Sequence, residues 1–248
     1  MYKVIENKMK KIIQIPLPYW NERPKRCSVK AIVLHCSAQE SVSMIKLLKR
    51  LHLSSHFVIG TDGRIFQLVP EGKRAFHAGV SSWRDMNNLN HYSIGIELSS
   101  PSMGEKVYTS QQLASVKSLC RDLIRRYNIP AQNIVAHSDI APTRKPDPGK
   151  AFPWEQFAQY GVGLWYDLND ADKVVENDVA KLLRQIGYNA DNLPSASYAF
   201  CRHFIPNLIQ EQSNIHEIIT NIYPANFEFP LEYLPHLKAC AYKFSKRY

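Results

Sequence analysis

Apolar positions between residues 29 and 166 repeat with two different periods, which predict strands and helices in mixed order. Apolar or alternating runs predict strands at 31–35, 56–61, 64–69, 93–99 and 134–137. Spacings of three and four residues predict helices at 43–53 and 110–127. We therefore expect an α/β fold in which helices flank a central mixed β-sheet.

The pattern changes twice along the chain. Residues 1–28 hold three prolines and show no clean period, which predicts an extended N-terminal arm before the domain at 29–166. Beyond residue 170 the pattern becomes helical, with helices predicted at 174–186 and 195–204. We expect residues 170–248 to form a small α-helical C-terminal domain, although the proline-containing stretch from Tyr223 gives no assignable element.

The composition is that of a globular protein, with 45% hydrophobic and 21% charged residues among 248. It excludes wholesale disorder, collagen and a coiled-coil rod, and no apolar run approaches the roughly 18 residues of a membrane helix. The net charge is 31 − 22 = +9, which favours an anionic partner. Because the basic residues are scattered and no nucleic-acid motif accompanies them, a solvated basic surface is favoured over nucleic-acid binding. Five cysteines without a C-x-x-C pair argue against a disulfide framework or a cysteine-built zinc ribbon.

Three segments carry residues suited to metal chemistry. His35 and His137 each end a predicted strand, Asp147 follows ten residues after the second histidine, and Glu97 lies on the polar face of another strand. Two histidines and one carboxylate form a three-ligand zinc site with one open position. On spacing alone another interpretation stands beside it: structural histidines, a salt-bridging Glu97 and a turn residue between two prolines at Asp147.

Five sequence blocks follow one another between about residues 20 and 160. They are NERP, AIVLHCSA, SSHFVIGTDGRIFQLVPEGKRAFHAG, LNHYSIGIEL and AHSDIAPTRKPDPGKAFPW. In this order they resemble the zinc-dependent N-acetylmuramoyl-L-alanine amidases of the type 2 family, whose fold is shared by phage T7 lysozyme and the peptidoglycan recognition proteins. The last block is the most specific, because a His, an Asp-Pro-Gly ten residues later and a Phe-Pro-Trp rarely occur together by chance.

The resemblance implies a hydrolase that cleaves the amide between the lactyl group of N-acetylmuramic acid and L-alanine of the stem peptide. It implies three ligands for one Zn²⁺ per chain: His35, His137 and Asp147. Glu97 matches the family's catalytic acid–base residue, and Lys145 matches a lysine that faces the reacting carbonyl. His77 matches a substrate-binding position near the metal.

The C-terminal region has its own, weaker likeness. Residues 174–188 and the string SASYAFCRHFIP resemble the small helical peptidoglycan-binding module that follows the catalytic domain in the AmiD-type branch of the family. A helical extension that packs on the amidase domain is the alternative. We expect peptidoglycan or muropeptide fragments as partners, since their free carboxylates suit a basic chain, and neither nucleic acid nor a membrane span.

Two further alternatives remain open from the sequence. Some proteins of this fold bind peptidoglycan without cutting it, although they usually lack a complete metal set. The start of the chain lacks the long apolar run of a secretory signal, which favours the cytoplasm, whereas the resemblance implies the periplasm or cell envelope. The pattern indicates no oligomeric state.

Overall fold

The structure, a computed structural model, describes residues 11–212 and 214–246, so the first ten residues of the predicted arm lie outside it. The strands within these residues are β1 (Ile12–Gln14), β2 (Trp20–Glu22), β3 (Ala31–Ser37), β4 (Phe57–Ile59), β5 (Ile65–Gln67), β6 (Lys73–Ala75), β7 (Ser82–Trp83), β8 (Met86–Asn87), β9 (Ser93–Ser99) and β10 (Ile134–Ala136). The α-helices are α1 (Ser41–Arg50), α2 (Ser110–Tyr127), α3 (His137–Ile140), α4 (Trp154–Ala158), α5 (Val179–Ile186), α6 (Leu193–Phe204), α7 (Ile215–Thr220) and α8 (Leu234–Ser245).

Six of these strands form the central sheet, in the order β1-β5-β4-β9-β3-β10. Neighbouring strands are parallel except for the β4–β5 hairpin, which turns at Asp62-Gly63 as the sequence predicts. The prediction of a central mixed β-sheet flanked by helices is confirmed. β3 and β9 are the longest strands and pair over seven residues, so they fix the register of the centre.

The two faces of β3 are buried under different parts of the chain. Ile32 and Leu34 belong to a core cluster with the buried stripe of α2, which includes Leu119. Ala31 and Val33 on the other face belong to a cluster formed with α5, α6 and α8. A strand that is buried on both faces has a continuous run of apolar residues in its sequence, as β3 does.

Helix α2 begins and ends at residues that suit its termini. The Thr109 side chain accepts a hydrogen bond from the Gln112 amide at 3.2 Å, which satisfies one of the free N–H groups of the first turn. Asn128 adopts the left-handed conformation that commonly terminates a helix. The helix spans residues 110–127, as predicted.

Residues 11–28 attach to the sheet domain through strands and through one arginine. β1 pairs with β5, and β2 pairs with β6 in a separate two-stranded ribbon. The Arg23 guanidinium, from the NERP block, donates to the carbonyl oxygens of Asn90, His91, Glu71 and Ser93 at 2.9–3.1 Å. Burial lowers the pKa of Arg23 to about 10.

Two C-terminal elements differ from the sequence prediction. The helix expected at 174–186 begins only at Val179, because the Asp178 side chain caps it by accepting from the Lys181 amide at 3.0 Å, and Val175 is 93% exposed. The stretch without an assignment contains α8, which has Pro235 in its first turn, a favourable place for proline. Within the described residues no helix is both long and apolar enough to span a bilayer.

Because α5, α6 and α8 share a core with β3, we expect the sheet domain and the helical region to unfold in one transition. Leu183→Ala, at a fully buried position of α5, should cost about 2–5 kcal/mol and lower that single melting temperature by roughly 5–15 °C. Val175→Ala, at an exposed position, is the matched control and should leave it unchanged. Calorimetry measures both, and two transitions of which only one moves would contradict the shared core.

Candidate metal centre and active site

Three parallel strands deliver polar side chains to one edge of the sheet. In the β3–β9 register His35 lies opposite Glu97, and in the β3–β10 register Leu34 lies opposite Ala136. His137 therefore follows its strand at the level of His35, as the first residue of α3 instead of the last residue of a strand. The carboxyl ends of parallel strands are the usual location of sites in such sheets.

Asp147, on the loop after α3, completes a group of three converging donor atoms. The distances are 2.8 Å between the Nδ1 atoms of His35 and His137, and 3.3 Å and 3.0 Å from these to Asp147 Oδ2. Ligand atoms about 2.0–2.1 Å from a tetrahedral zinc ion lie about 3.3 Å apart, so the three atoms fit one small cation. All three residues are buried.

Hydrogen bonds on the far side of each imidazole direct the Nδ1 lone pairs toward one another. His137 Nε2 lies 3.3 Å from the Ala78 carbonyl oxygen, which can only accept, so Nε2 carries the proton. His35 Nε2 lies 2.9 Å from His77 Nδ1, and His77 Nε2 lies 3.2 Å from Ser93 Oγ. Ser93 in turn donates to a backbone carbonyl at 2.5 Å. In this series of hydrogen bonds, therefore, each group donates to the next one away from His35. Such outer partners fix the tautomer of a metal-binding histidine.

His77 thus contacts His35, a predicted ligand, and also lines the cavity in front of the three donors. Its ring packs directly over β9 at Gly95, where a Cβ atom would come within 2.5 Å of His77 Cγ. Glycine is the residue that lets the imidazole lie this close to the strand. The substrate-binding role expected for His77 stays a prediction.

The electrostatic environment shifts the pKa values of two of the three donors, His35 and Asp147. Burial, reinforced by His137, lowers the pKa of His35 to about 4, although Asp147 opposes the shift. Burial alone would raise the pKa of Asp147, but His137 and His35 outweigh it and hold that pKa well below its usual range. A neutral imidazole and a carboxylate are the forms that bind metal.

Glu97 and Lys145 line the same cavity of about 430 Å³ as His137 and Asp147. Burial raises the pKa of Glu97 to about 8, Asp147 adds to the shift, and the Lys145 charge opposes it. The structure therefore brings all the site residues predicted from the sequence to one cavity wall or to its immediate neighbours.

Two residues that shape this wall were not predicted. Asn90 Oδ1 accepts from the amides of His77 and Ala78 at 3.0 and 2.8 Å, and Arg144 donates to the carbonyls of Ala78 at 3.1 Å and Val80. Together they hold the backbone that orients His137 through its Nε2 atom. Both lie inside the recognisable blocks, LNHYSIGIEL and AHSDIAPTRKPDPG, so the signal was their position within those blocks.

Comparison with known proteins gives a consistent picture. The N-acetylmuramoyl-L-alanine amidase family profile matches residues 25–150, about half of the chain. N-acetylmuramoyl-L-alanine amidase AmiD of Escherichia coli is 36% identical over 216 residues, covering 75% of this chain and 78% of the relative. 1,6-Anhydro-N-acetylmuramyl-L-alanine amidase AmpD of the same organism is 44% identical over 110 residues, covering 44% of this chain and 59% of the relative.

Solved structures agree over most of the chain. E. coli AmiD in complex with anhydro-N-acetylmuramic acid-L-Ala-D-γ-Glu-L-Lys superposes with a TM-score of 0.72 at 30% identity, covering 91% of this chain and 94% of that one. AmpDh3 of Pseudomonas aeruginosa gives the same TM-score, 0.72, at 27% identity, covering 98% and 99%. The likeness therefore includes the C-terminal helices as well as the sheet.

The raised pKa of Glu97 predicts that the free energy of unfolding of the chelator-treated protein depends on pH. The folded pKa of about 8 exceeds the ordinary value of 4.5, so the unfolded chain binds fewer protons and stability falls as the pH rises through this window. Glu97→Gln removes the ionisable group, so its melting temperature should exceed that of the parent by about 5 °C or more at pH 9 and by little at pH 5.

Glu232→Gln, at an exposed position, is the control and should show no difference at either pH. Thermal unfolding followed by circular dichroism measures both variants. An equal gain for Glu97→Gln at pH 5 and pH 9 would contradict the assigned environment of this carboxyl.

Proposed function

The chain belongs to the type 2 N-acetylmuramoyl-L-alanine amidase family and has its amidase activity in peptidoglycan turnover, and from this premise we propose that the activity is zinc-dependent and carried by Glu97 and Lys145. The observation that carries the proposal is the convergence of three buried donor atoms beside a cavity that both residues line. The reaction replaces the C–N bond between lactyl carbonyl and L-alanine by a C–O bond from water.

The proposed ligands are His35 Nδ1, His137 Nδ1 and Asp147 Oδ2. Zinc, when bound, supplies Lewis-acid chemistry: it polarises the scissile carbonyl and makes the attacking water more acidic. Only three protein ligands converge among the described residues, which leaves room for water and substrate at the cavity side.

Glu97 is proposed as the proton carrier. It takes a proton from the attacking water and delivers it to the nitrogen of L-alanine as the C–N bond breaks. Its pKa of about 8 supports this role, since a group with a pKa near neutrality both accepts and releases protons readily. The register that places Glu97 opposite His35 keeps this residue next to a proposed metal ligand, which supports the role.

Lys145 is proposed to stabilise the negative charge that develops on the carbonyl oxygen. It is two residues before the proposed ligand Asp147, lines the same cavity, and is close enough for its charge to act on Glu97 and His35. A cation in a water-poor site is effective at this task.

The substrates that we propose are soluble anhydro-muropeptides, because AmiD and AmpDh3 were solved with an anhydromuramyl peptide bound.

The proposed reaction predicts one pair of products. Incubation with an anhydromuramyl peptide should give a free stem peptide that begins at L-alanine, together with the released sugar acid. Zinc removal by a chelator should abolish the products, and added zinc should restore them; mass spectrometry detects both. Intact substrate with bound protein would instead identify a peptidoglycan-recognition protein, and products that survive metal removal would refute zinc dependence.

The two catalytic assignments predict different kinetic losses. Glu97→Ala should keep stoichiometric zinc but lower kcat by about 10²–10⁴-fold. Lys145→Met should lower kcat by roughly 10²-fold and change KM little, because its charge acts mainly on the transition state. Lys49→Met, on the exposed surface of α1, keeps the same change of net charge and serves as the control. A Lys145→Met variant impaired only in KM would show that Lys145 binds substrate and has no part in stabilising charge.

A further inference from the structure

A fully buried carboxylate lies directly behind the site. Asp139, the third residue of α3, is 0% exposed and two residues from His137. Its Oδ2 accepts from the Ala136 amide at 2.8 Å, so it caps the helix that His137 begins. The same helix is tied to the third proposed ligand, because the Ser138 amide donates to the Asp147 carbonyl oxygen at 2.9 Å.

The other two donors to Asp139 come from the C-terminal helical region. The Tyr188 hydroxyl donates to Oδ1 at 2.7 Å, and His203 Nδ1 donates to Oδ2 at 2.7 Å. Tyr188 follows α5 and His203 lies in α6, so they are 49 and 64 residues away along the chain. Buried carboxylates are costly unless they are fully hydrogen-bonded, and these side chains supply the bonds that the sheet domain does not.

Both donors are held rigidly by aromatic contacts. The ring of Tyr188 packs edge-on against Trp83 at 5.1 Å between centroids. The His203 ring stacks between Trp154 at 4.0 Å and Phe204 at 3.9 Å. Donors with so little freedom define the position of the carboxylate that they bind.

His203 carries a second indication that its bond to Asp139 matters. Its Nε2 atom is buried and has no hydrogen-bond partner within the described residues. A phenylalanine would fill this stacked position without that cost, so packing does not explain a histidine here. The interaction that a histidine adds is the hydrogen bond from Nδ1 to Asp139.

We propose that Tyr188 and His203 are positioning residues of the amidase site, which act through Asp139 to hold α3 and thereby fix His137 Nδ1 for metal binding. The helical region then supplies part of the scaffold of the metal centre, whatever else it binds. The inference rests on the proposed zinc site. It differs from a stabilising role alone because it predicts a change at the metal that the melting temperature does not report.

The first test is Tyr188→Phe, which removes one hydroxyl and keeps the ring. We expect zinc affinity to fall about 10-fold, as for other partners behind a metal ligand. Competition with a chromophoric chelator measures the dissociation constant, and the visible spectrum of the Co²⁺-substituted protein should shift. kcat should fall while KM changes little. Tyr166→Phe is the matched control, since its hydroxyl bonds His236 Nδ1 at 2.7 Å and the Phe204 carbonyl oxygen at 3.4 Å without contacting Asp139.

A second pair of variants separates the hydrogen bond from the packing. His203→Leu removes the donor, whereas His203→Asn places an amide N–H near the former Nδ1 position. We expect about 10-fold weaker zinc binding in the first and recovery of most of that loss in the second. If His203→Leu does not fold, Tyr188→Phe decides alone.

The outcomes that would overturn the inference are distinct from failure of the proposed function. Unchanged zinc affinity and Co²⁺ spectrum in Tyr188→Phe, or an equal loss in Tyr166→Phe, would overturn it while the parent protein still binds zinc. An equal loss in His203→Leu and His203→Asn would also overturn it. A parent protein that binds no zinc would overturn the proposed function and this inference together, and the parent titration shows this before any variant is made.

Discussion

Parallel pairing of β3 with both β9 and β10 is the constraint on which the site depends. One hydrogen-bonded register puts His35 opposite Glu97, and the other puts the residue after β10 at the same level. A slip of one residue would turn every side chain of β3 to the opposite face. The register is protected because both faces are buried, one in the core cluster that includes α2 and the other in the cluster that includes the C-terminal helices.

Around the donors, hydrogen bonds to backbone carbonyls and one histidine determine which nitrogen of each imidazole is unprotonated. The Ala78 carbonyl holds the proton of His137 on Nε2, and His77 does the same for His35. The backbone that carries Ala78 is itself held by Asn90 and Arg144. The tautomers are thus set before any metal arrives, which lowers the reorganisation that binding requires.

The sequence predicts the parts of this molecule whose signals are local. Residues 93–99 and 110–127 were predicted with the bounds that the structure has, because strand alternation and a Thr109 cap are readable from neighbours. The site residues were predicted from motif blocks, since spacing alone favoured structural histidines.

What the sequence does not predict depends on contacts between distant residues. Asp139 resembles an ordinary loop carboxylate until Tyr188 and His203 are seen to contact it. Similarly, α8 has few periodic signals, and its buried positions become clear only when α5 and the 3₁₀ helix Leu168–Lys173 lie beside it. The late start of α5 was missed because Val174 and Val175 extend its apolar pattern although they lie outside the helix.

The face of β3 formed by Ala31 and Val33 has a consequence for how such chains diversify. These two side chains are small, and the core cluster that buries them includes helices encoded more than 140 residues later. Recombination that brought in a foreign C-terminal segment would therefore have to match the shape of this face as well as join the ends. Where both regions are present, we expect compensating substitutions across their shared core, as is usual for a single interior.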